Sequence, residues 1–520
     1  MKVTPPAGGR NVPGAHPFWH FDPAAADVSC IVTDDGCTLS RARLQTHVEA
    51  IKEGLDFPRK ALGFLFCRND LPSLTAYLAC LQMGHAVLLL PQDMEPALLE
   101  PLLAGYRPDF IWSAGNEGYP GYRVTGHTAG SHRLYRAKCE VAHPPIYPDL
   151  ALLLSTSGST GNPKLVRLSY ANLQANAASI AEYLRIGEDE RPITSLPMHY
   201  SYGLSVINSH LLAGATVLLT GRKIRSPEFW SYFKQHGATS MSGVPYVYQV
   251  LHELGFEEMD LPSLRTLTQA GGHLDVNLQE HFAAWSRQRH IRYYTMYGQT
   301  EATARIAYVP PERACEGRGS IGIPVPGGKI EIVEGELVYS GPNVMLGYAG
   351  SREDLAAGDE LGGRLHTGDI ARIGENGFCY ILGRKKRFIK LMGLRINCDD
   401  VERQLSTRFS RKCVVLGSDS HMAVAIAAAG PEDEIIAFLR KTYHIKGSLC
   451  SVRVVAELPL LPTGKIDYAA LQRLIGEEGT RPYPCVLLPR NRDLPIPVGS
   501  PHSIRNPAPN AASHRSAGAA

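Results

Sequence analysis

Short, unbroken apolar runs recur along the chain and alternate with stretches in which apolar residues return every three or four positions. Ala61-Leu62-Gly63-Phe64-Leu65-Phe66 and Ala86-Val87-Leu88-Leu89-Leu90 are of the first kind, and Leu71 to Met83 is of the second. Runs of that length suit strands buried on both faces, whereas a 3.6-residue period suits helices. The alternation from Phe18 to about Tyr147 therefore predicts parallel-sheet α/β structure. By the same reading Ala151-Leu152-Leu153-Leu154 is a buried strand. After it, Ser169 caps a helix with Leu173, Ala177, Ile180 and Leu184 on one face. Ala215 to Leu219 reads as a further strand. From about Lys386 to Ile475 the pattern changes to strands at Cys413 to Gly417, Ala423 to Ala429 and Ser451 to Leu458. Helices from about Glu432 to Tyr443 and from Tyr468 to Ile475 complete what reads as a small α+β domain. No internal repeat is visible.

Between the Ala151–Leu154 run and its helix lies Ser155 to Lys164, STSGSTGNPK. The expected order is strand, loop, helix. Two glycines and five hydroxyl residues offer unhindered backbone N–H groups and hydroxyl donors, which a polyphosphate requires, and Lys164 adds a cation. A flexible linker of the same composition would not sit tightly between a buried strand and an amphipathic helix. Asn162-Pro163 separates Gly161 from Lys164, so the loop departs from the G-x-x-x-x-G-K-[ST] pattern of the kinase-type P-loop.

Composition narrows the field further. A formal charge of +3 over 520 residues favours neither nucleic acid nor an anionic membrane surface, and 44% apolar content is ordinary for a globular protein. No run approaches the roughly 18 apolar residues of a membrane span, and the N-terminus opens no signal peptide. The expectation is a cytoplasmic protein. Eleven scattered cysteines form no C-x-x-C pair or metal-spaced cluster, which fits buried free thiols in a reducing compartment.

Further segments carry chemistry. Leu196 to Leu204, with His199, Tyr200 and Gly203, is an aromatic, polar turn that fits either a pocket wall or core packing. Leu267 to Gly272 ends a strand in Gly271-Gly272, where a backbone can approach a flat ligand closely. Tyr293 to Glu301 places Tyr297, Thr300 and Glu301 at a strand end: an aromatic for a base, a hydroxyl for a phosphate and a carboxylate for Mg2+. In His366-Thr367-Gly368-Asp369 the carboxylate can accept two hydrogen bonds from a ribose diol. The basic run Arg384 to Arg387 taken alone could be a nucleic-acid patch.

In this order along the chain, these segments resemble the adenylate-forming superfamily: acyl-CoA and aryl-CoA synthetases, nonribosomal peptide adenylation domains and luciferases. Ser155 to Lys164 is similar to its phosphate loop, Tyr297-Gly298-Gln299-Thr300-Glu301 to its Y-G-x-T-E signature, and Leu461-Pro462-Thr463-Gly464-Lys465-Ile466 to its catalytic-lysine segment. The resemblance implies an α/β fold with a large multi-subdomain N-terminal domain and a small mobile C-terminal α+β lid. It divides the chain into an adenylation domain, 17–385, and a lid, 386–476, while Gly/Pro-rich composition marks a disordered N-terminus, 1–16, and a disordered proline-rich tail, 477–520.

The resemblance also implies roles. Thr156, Ser157, Gly158, Ser159, Thr160, Gly161 and Lys164 would hold phosphates, with Gly271, Gly272, Tyr297 and Gly298 at the adenine and Asp369 and Arg384 at the ribose. Thr300 would bind the α-phosphate, Glu301 the metal, and Lys465 would bridge the substrate carboxylate and α-phosphate. His199, Tyr200, Val244 and Ala270 would line the acyl pocket, where many acyl-CoA synthetases have His at the position of Tyr200. Lys386 would be the hinge, bringing Lys390 to Ile396 into the site for a thioester step. Glycine stands at 203 where amino-acid-activating relatives carry the aspartate that pairs with the substrate ammonium.

The implied activity is ATP- and Mg2+-dependent conversion of a fatty or other non-amino acid to acyl-AMP and pyrophosphate, then transfer to CoA. The alternatives are an acyl-AMP ligase loading the phosphopantetheine of an acyl carrier protein, and a non-catalytic nucleotide-binding protein. Only 82 residues separate Glu301 from Arg384, little room for the insertion of many fatty acyl-AMP ligases, which favours CoA.

Overall fold

A computed structural model describes residues 2–3, 16–115, 118–139, 144–155, 164–391, 394–417, 421–443, 445–461 and 464–477. The loop residues Thr156 to Gly161, most of the N-terminal segment and the tail from 478 onward lie outside the described residues. Those from 2 to 477 belong to one compact unit.

Two large mixed sheets carry most of the strands between Ser29 and Ala349. The eight-stranded sheet has four parallel strands at its centre: Leu150–Ser155, Ala86–Pro91, Leu62–Cys67 and Phe110–Ser113. Every residue of the four is buried except Pro91 and Ser155 at two strand ends, as strands covered on both faces must be. In the nine-stranded sheet, Pro192–Ile193, Ser240–Gly243, Thr266–Gln269 and Arg292–Tyr297 run parallel side by side.

Helices join the two sheets. Leu71–Gln82 is buried along nine consecutive residues, the mark of a helix enclosed on all sides. It packs on the eight-stranded sheet with Tyr170–Leu184, which also packs on Ser201–Leu212. The Asn208 side-chain amide donates to the Tyr77 hydroxyl at 3.2 Å, tying the layers together.

The expected order after Leu150–Ser155 needs one correction. A strand, Leu165–Ser169, comes between the loop and the helix, and it pairs antiparallel with Leu150–Ser155. The loop therefore closes two adjacent strands. Arg167 concealed this: it is wholly buried, yet its guanidinium reaches the carbonyls of Tyr348 and Gly358 at 3.2 Å and Glu360 Oε2 at 2.5 Å. The helix begins where expected, with Ser169 and Asn172 forming a reciprocal capping box.

A five-stranded antiparallel sheet follows, including Arg364–Ile373 and Cys379–Arg384. Beyond it Cys413–Gly417, Met422–Ala427 and Cys450–Val455 form a three-stranded sheet. The helices Cys398–Phe409 and Glu432–Tyr443 pack against it, with a core of their own around Val401, Leu405, Ile426, Ile435 and Leu439. Among the described residues no helix is long and apolar enough to cross a membrane.

Candidate active site

The parallel strands Ser240–Gly243, Thr266–Gln269 and Arg292–Tyr297 end together, so the residues after each meet outside their carboxyl ends, where open α/β sheets bind ligands. They are Val244-Pro245, Ala270-Gly271-Gly272 and Gly298 to Glu301. Gly271 has φ +85°, and a Cβ on it would lie 2.7 Å from the Tyr200 hydroxyl oxygen and 3.0 Å from Val244 Cγ1. Glycine therefore lets the backbone, Tyr200 and Val244 meet. Val244 and Ala270 are buried. Burial pushes the Tyr200 phenol up to about 12, against the pull of Arg305.

Gly298 answers to a different constraint: any Cβ there would overlap the Ala304 carbonyl oxygen. The chain folds back through the short Thr300–Ala302 helix and is tied down by Asn343, whose amide donates to the carbonyls of Ala302 at 2.9 Å and Arg305 at 2.8 Å. Thr303, at φ +60°, donates its hydroxyl to the Asn343 carbonyl at 2.8 Å. This turn presents Thr300 and Glu301. Thr300 Oγ1 is 3.4 Å from Ser201 Oγ, and Tyr348 donates to Glu301 Oε1 at 2.7 Å. A half-buried carboxylate of this kind is the hard oxygen donor Mg2+ takes beside phosphate oxygens, so Glu301 fits the metal role.

Asp369 and Arg384 face each other across the antiparallel pair. Arg384 Nε lies 3.1 Å from Asp369 Oδ1, and the Tyr297 hydroxyl donates to Asp369 Oδ2. Asp369 is 2% exposed. Burial raises its pKa above the usual carboxylate value, while Arg384 and Tyr297 oppose the rise. The Arg384 backbone N–H donates to Asp399 Oδ2 at 2.9 Å.

Lys465 reaches this cleft from the C-terminal part of the chain. Its turn is closed by hydrogen bonds from the Gly464 N–H to the Leu461 carbonyl and from the Leu461 N–H to the Lys465 carbonyl, both 2.8 Å. Gly464, at φ +75°, lies so close to the Val244 wall that a Cβ would sit 2.9 Å from Tyr246 Cβ and 3.1 Å from Val244 Cγ2. The ammonium stands 5.8 Å from the centre of the Tyr200 ring. Burial lowers its pKa, as does Arg384, and Glu301 and Asp369 work the other way. Groups from four separate parts of the chain thus share one field.

Residues 23–349 match the family model described as AMP-binding enzyme. This chain belongs to that family. A feruloyl-CoA synthase from an Amycolatopsis species is 30% identical over 364 residues, spanning 64% of this chain and 72% of its own. A 2-succinylbenzoate–CoA ligase from Bacillus pumilus strain SAFR-032 is 27% identical over 463 residues, 84% of this chain and 90% of its own. An O-succinylbenzoate coenzyme A synthetase from Bacillus subtilis, solved with AMP, shares the fold with a TM-score of 0.69. It is 22% identical, over 86% of this chain and 95% of its own.

For this AMP-binding enzyme the phosphate-loop residues Thr156 to Gly161 lie outside the described residues. Lys164 is exposed at the start of the Leu165–Ser169 strand. Lys386 lies in the Lys385–Arg387 turn. His199 is largely buried, with no hydrogen-bond partner on Nδ1 and a pKa lowered to about 4 by burial. The charge it feels is Asp93, and its chain neighbour is Tyr200. Conversely, Tyr348, Ser201, Arg305 and Asp399 were not singled out by local pattern. Tyr348 follows Gly347 in the short Gly347–Ala349 strand and bonds the Glu301 carboxylate. Arg305, 2% exposed, lies 4.1 Å from the Tyr202 ring centre beneath the pocket.

Proposed function

We propose that the protein activates a non-amino carboxylic acid with ATP and Mg2+, forming an acyl adenylate and pyrophosphate, and then transfers the acyl group to CoA. The observation that carries this reading is the entry of Lys465 into the cleft of Thr300, Glu301, Asp369 and Arg384. Attack of a carboxylate on the ATP α-phosphate brings two anions together, so a site must supply positive charge and alignment. Lys465 would bridge the carboxylate and α-phosphate, Thr300 would donate to the phosphate, and Asp369 with Arg384 would hold the ribose. Mg2+, on Glu301, would neutralise phosphate charge. The Bacillus subtilis relative was also solved with ATP and magnesium ion, and both curated relatives named above are enzymes of CoA thioester formation.

Gly203 supports the exclusion of amino acids. A Cβ there would lie 2.3 Å from the Pro197 carbonyl oxygen, so this backbone leaves no room for a side chain at 203, and a substrate ammonium left without its carboxylate partner costs several kcal/mol. The apolar and aromatic wall of Tyr200, Val244 and Ala270 suits an aliphatic chain or a ring. CoA rather than a carrier protein is favoured by the short Glu301–Arg384 span.

Hydroxylamine-trapped adenylation across aliphatic, aromatic, hydroxy and amino acids tests the reading, followed by CoA and carrier-protein assays on the best acid. Turnover of a non-amino acid with thioester formation on CoA is expected. Adenylation without CoA transfer would move the assignment to a carrier-protein loader, and preference for an α-amino acid would overturn it.

A further inference from the structure

Three side chains from three helical elements converge on the surface beyond the acyl pocket. His252 lies in the last turn of the Pro245–Glu253 helix, Glu257 in the short Phe256–Glu258 helix, and His281 in the Val276–Gln288 helix. His252 Nδ1 is 3.1 Å and His281 Nε2 is 2.6 Å from the same oxygen, Glu257 Oε1. All three donor atoms lie within 4.8 Å of one another.

The backbone holds them in place. Each has a wholly buried neighbour in the chain: Leu251 before His252, Phe256 before Glu257, and Phe282 after His281. Phe256 packs on Phe282 and Trp285, and the Glu257 carbonyl accepts from Trp285 Nε1 at 3.3 Å and Arg289 Nη2 at 3.2 Å. The Glu257 side chain is only 13% exposed, whereas those of His252 and His281 are 56% and 44% exposed. An ion from solvent can therefore reach both imidazoles, while the carboxylate is already oriented.

We propose that His252, Glu257 and His281 bind one divalent transition-metal ion of the Zn2+ type, leaving a position for water. Two imidazole nitrogens and one carboxylate oxygen suit Zn2+, Co2+ or Ni2+, whereas Mg2+ and Ca2+ take oxygen donors. Bonds of roughly 2.0–2.2 Å put tetrahedral donors about 3.3 Å apart, within reach of small side-chain rotations from the present spacing. The ion would take the place of the hydrogens now facing Glu257, each neutral imidazole carrying its proton on the other ring nitrogen and offering the freed lone pair to the metal. It would staple two helices. One starts at the Val244-Pro245 wall, and the other follows Gly271-Gly272, so the metal would stiffen the acyl pocket from behind without entering the chemistry.

Full-length protein stripped with chelator is titrated with Co2+ and then Zn2+, alongside the His252→Ala/His281→Ala double variant and Glu257→Gln. Wild type is expected to take one equivalent of Co2+ with ligand-field bands of a nitrogen and oxygen donor set, no thiolate charge-transfer band, and displacement by Zn2+. Zn2+ should raise its melting temperature. Both effects should vanish in the double variant, and Glu257→Gln should bind at least tenfold more weakly. Metal-free double variant and metal-free wild type should melt alike and show equal Mg-ATP-dependent adenylation. Lack of a stoichiometric Co2+ spectrum, equal binding by the double variant, or a thiolate band would overturn the assignment.

Discussion

Lys465 must carry its charge where charge is expensive. Burial and Arg384 depress its pKa, so its ammonium deprotonates at lower pH than an ordinary lysine near 10.5. Because the bridging role needs the cation, adenylation should fail on the alkaline side below that value. Lys465→Arg, whose guanidinium stays charged, should keep whatever rate remains up to higher pH. Lys465→Ala should reduce adenylation about 10²–10³-fold, the usual loss for one transition-state donor. Pyrophosphate exchange as a function of pH checks both, and an unchanged alkaline limb in Lys465→Arg would remove Lys465 from the role. Gly298 makes a different point at this scale. Gly298→Ala forces a methyl into the Ala304 carbonyl and should cost about 1–3 kcal/mol of stability, read from the denaturation midpoint. Steric space, rather than backbone freedom, demands that glycine.

Single elements carry their neighbours' constraints. The Leu165–Ser169 strand does not show itself as an apolar run because Arg167 stands in its middle. What allows a guanidinium there is a set of carbonyls and a carboxylate some 180–190 residues away, and no local pattern reports such partners. The turn at Gly464 behaves similarly. Its contact with Val244 and Tyr246 seats Lys465, so Gly464→Ala should impair adenylation while sparing thioester formation from supplied acyl adenylate. Equal loss in both half-reactions would mean that the turn matters for folding alone. Arg387 anchors the element where the chain passes to its last sheet. It pairs with Asp399 and with Glu402, the latter at 2.8 Å, and stands 4.4 Å from the Tyr468 ring centre. Removing one partner from a largely buried ion-pair network leaves charges uncompensated, so Arg387→Ala should destabilise that region by about 3 kcal/mol. Hydrogen exchange in Cys413–Gly417 and Met422–Ala427 would report it.

At the scale of the whole molecule, the cleft exists only because distant segments close on it. Tyr297, Asp369, Arg384 and Lys465 come from a parallel strand end, an antiparallel pair and a C-terminal turn. A nucleotide touching all of them should couple binding to global stability. Mg-ATP at 100 times its dissociation constant should stabilise the fold by about 2.7 kcal/mol. Asp369→Asn, which weakens the acceptor for Arg384 and Tyr297, should abolish most of the resulting rise in melting temperature, measured by thermal unfolding with and without Mg-ATP. An undiminished rise would place the ribose elsewhere.

What the sequence alone determined is what depends on near neighbours. Buried strands appear as apolar runs, the Tyr170–Leu184 helix as a 3.6-residue period with a Ser169 cap, and the candidate site residues as contiguous motifs, because chemistry at strand ends needs several groups within a few residues. Family membership follows from those motifs and their order. What only the tertiary structure decided is which side chains satisfy one another. Tyr348 on Glu301, Tyr297 on Asp369, Arg305 beneath Tyr202 and the convergence of His252, Glu257 and His281 all join positions whose separation along the chain carries no signal. A hydrogen bond or an ion pair is specified by the place of two atoms in space, and the chain reaches that place only when its sheets and helices have packed.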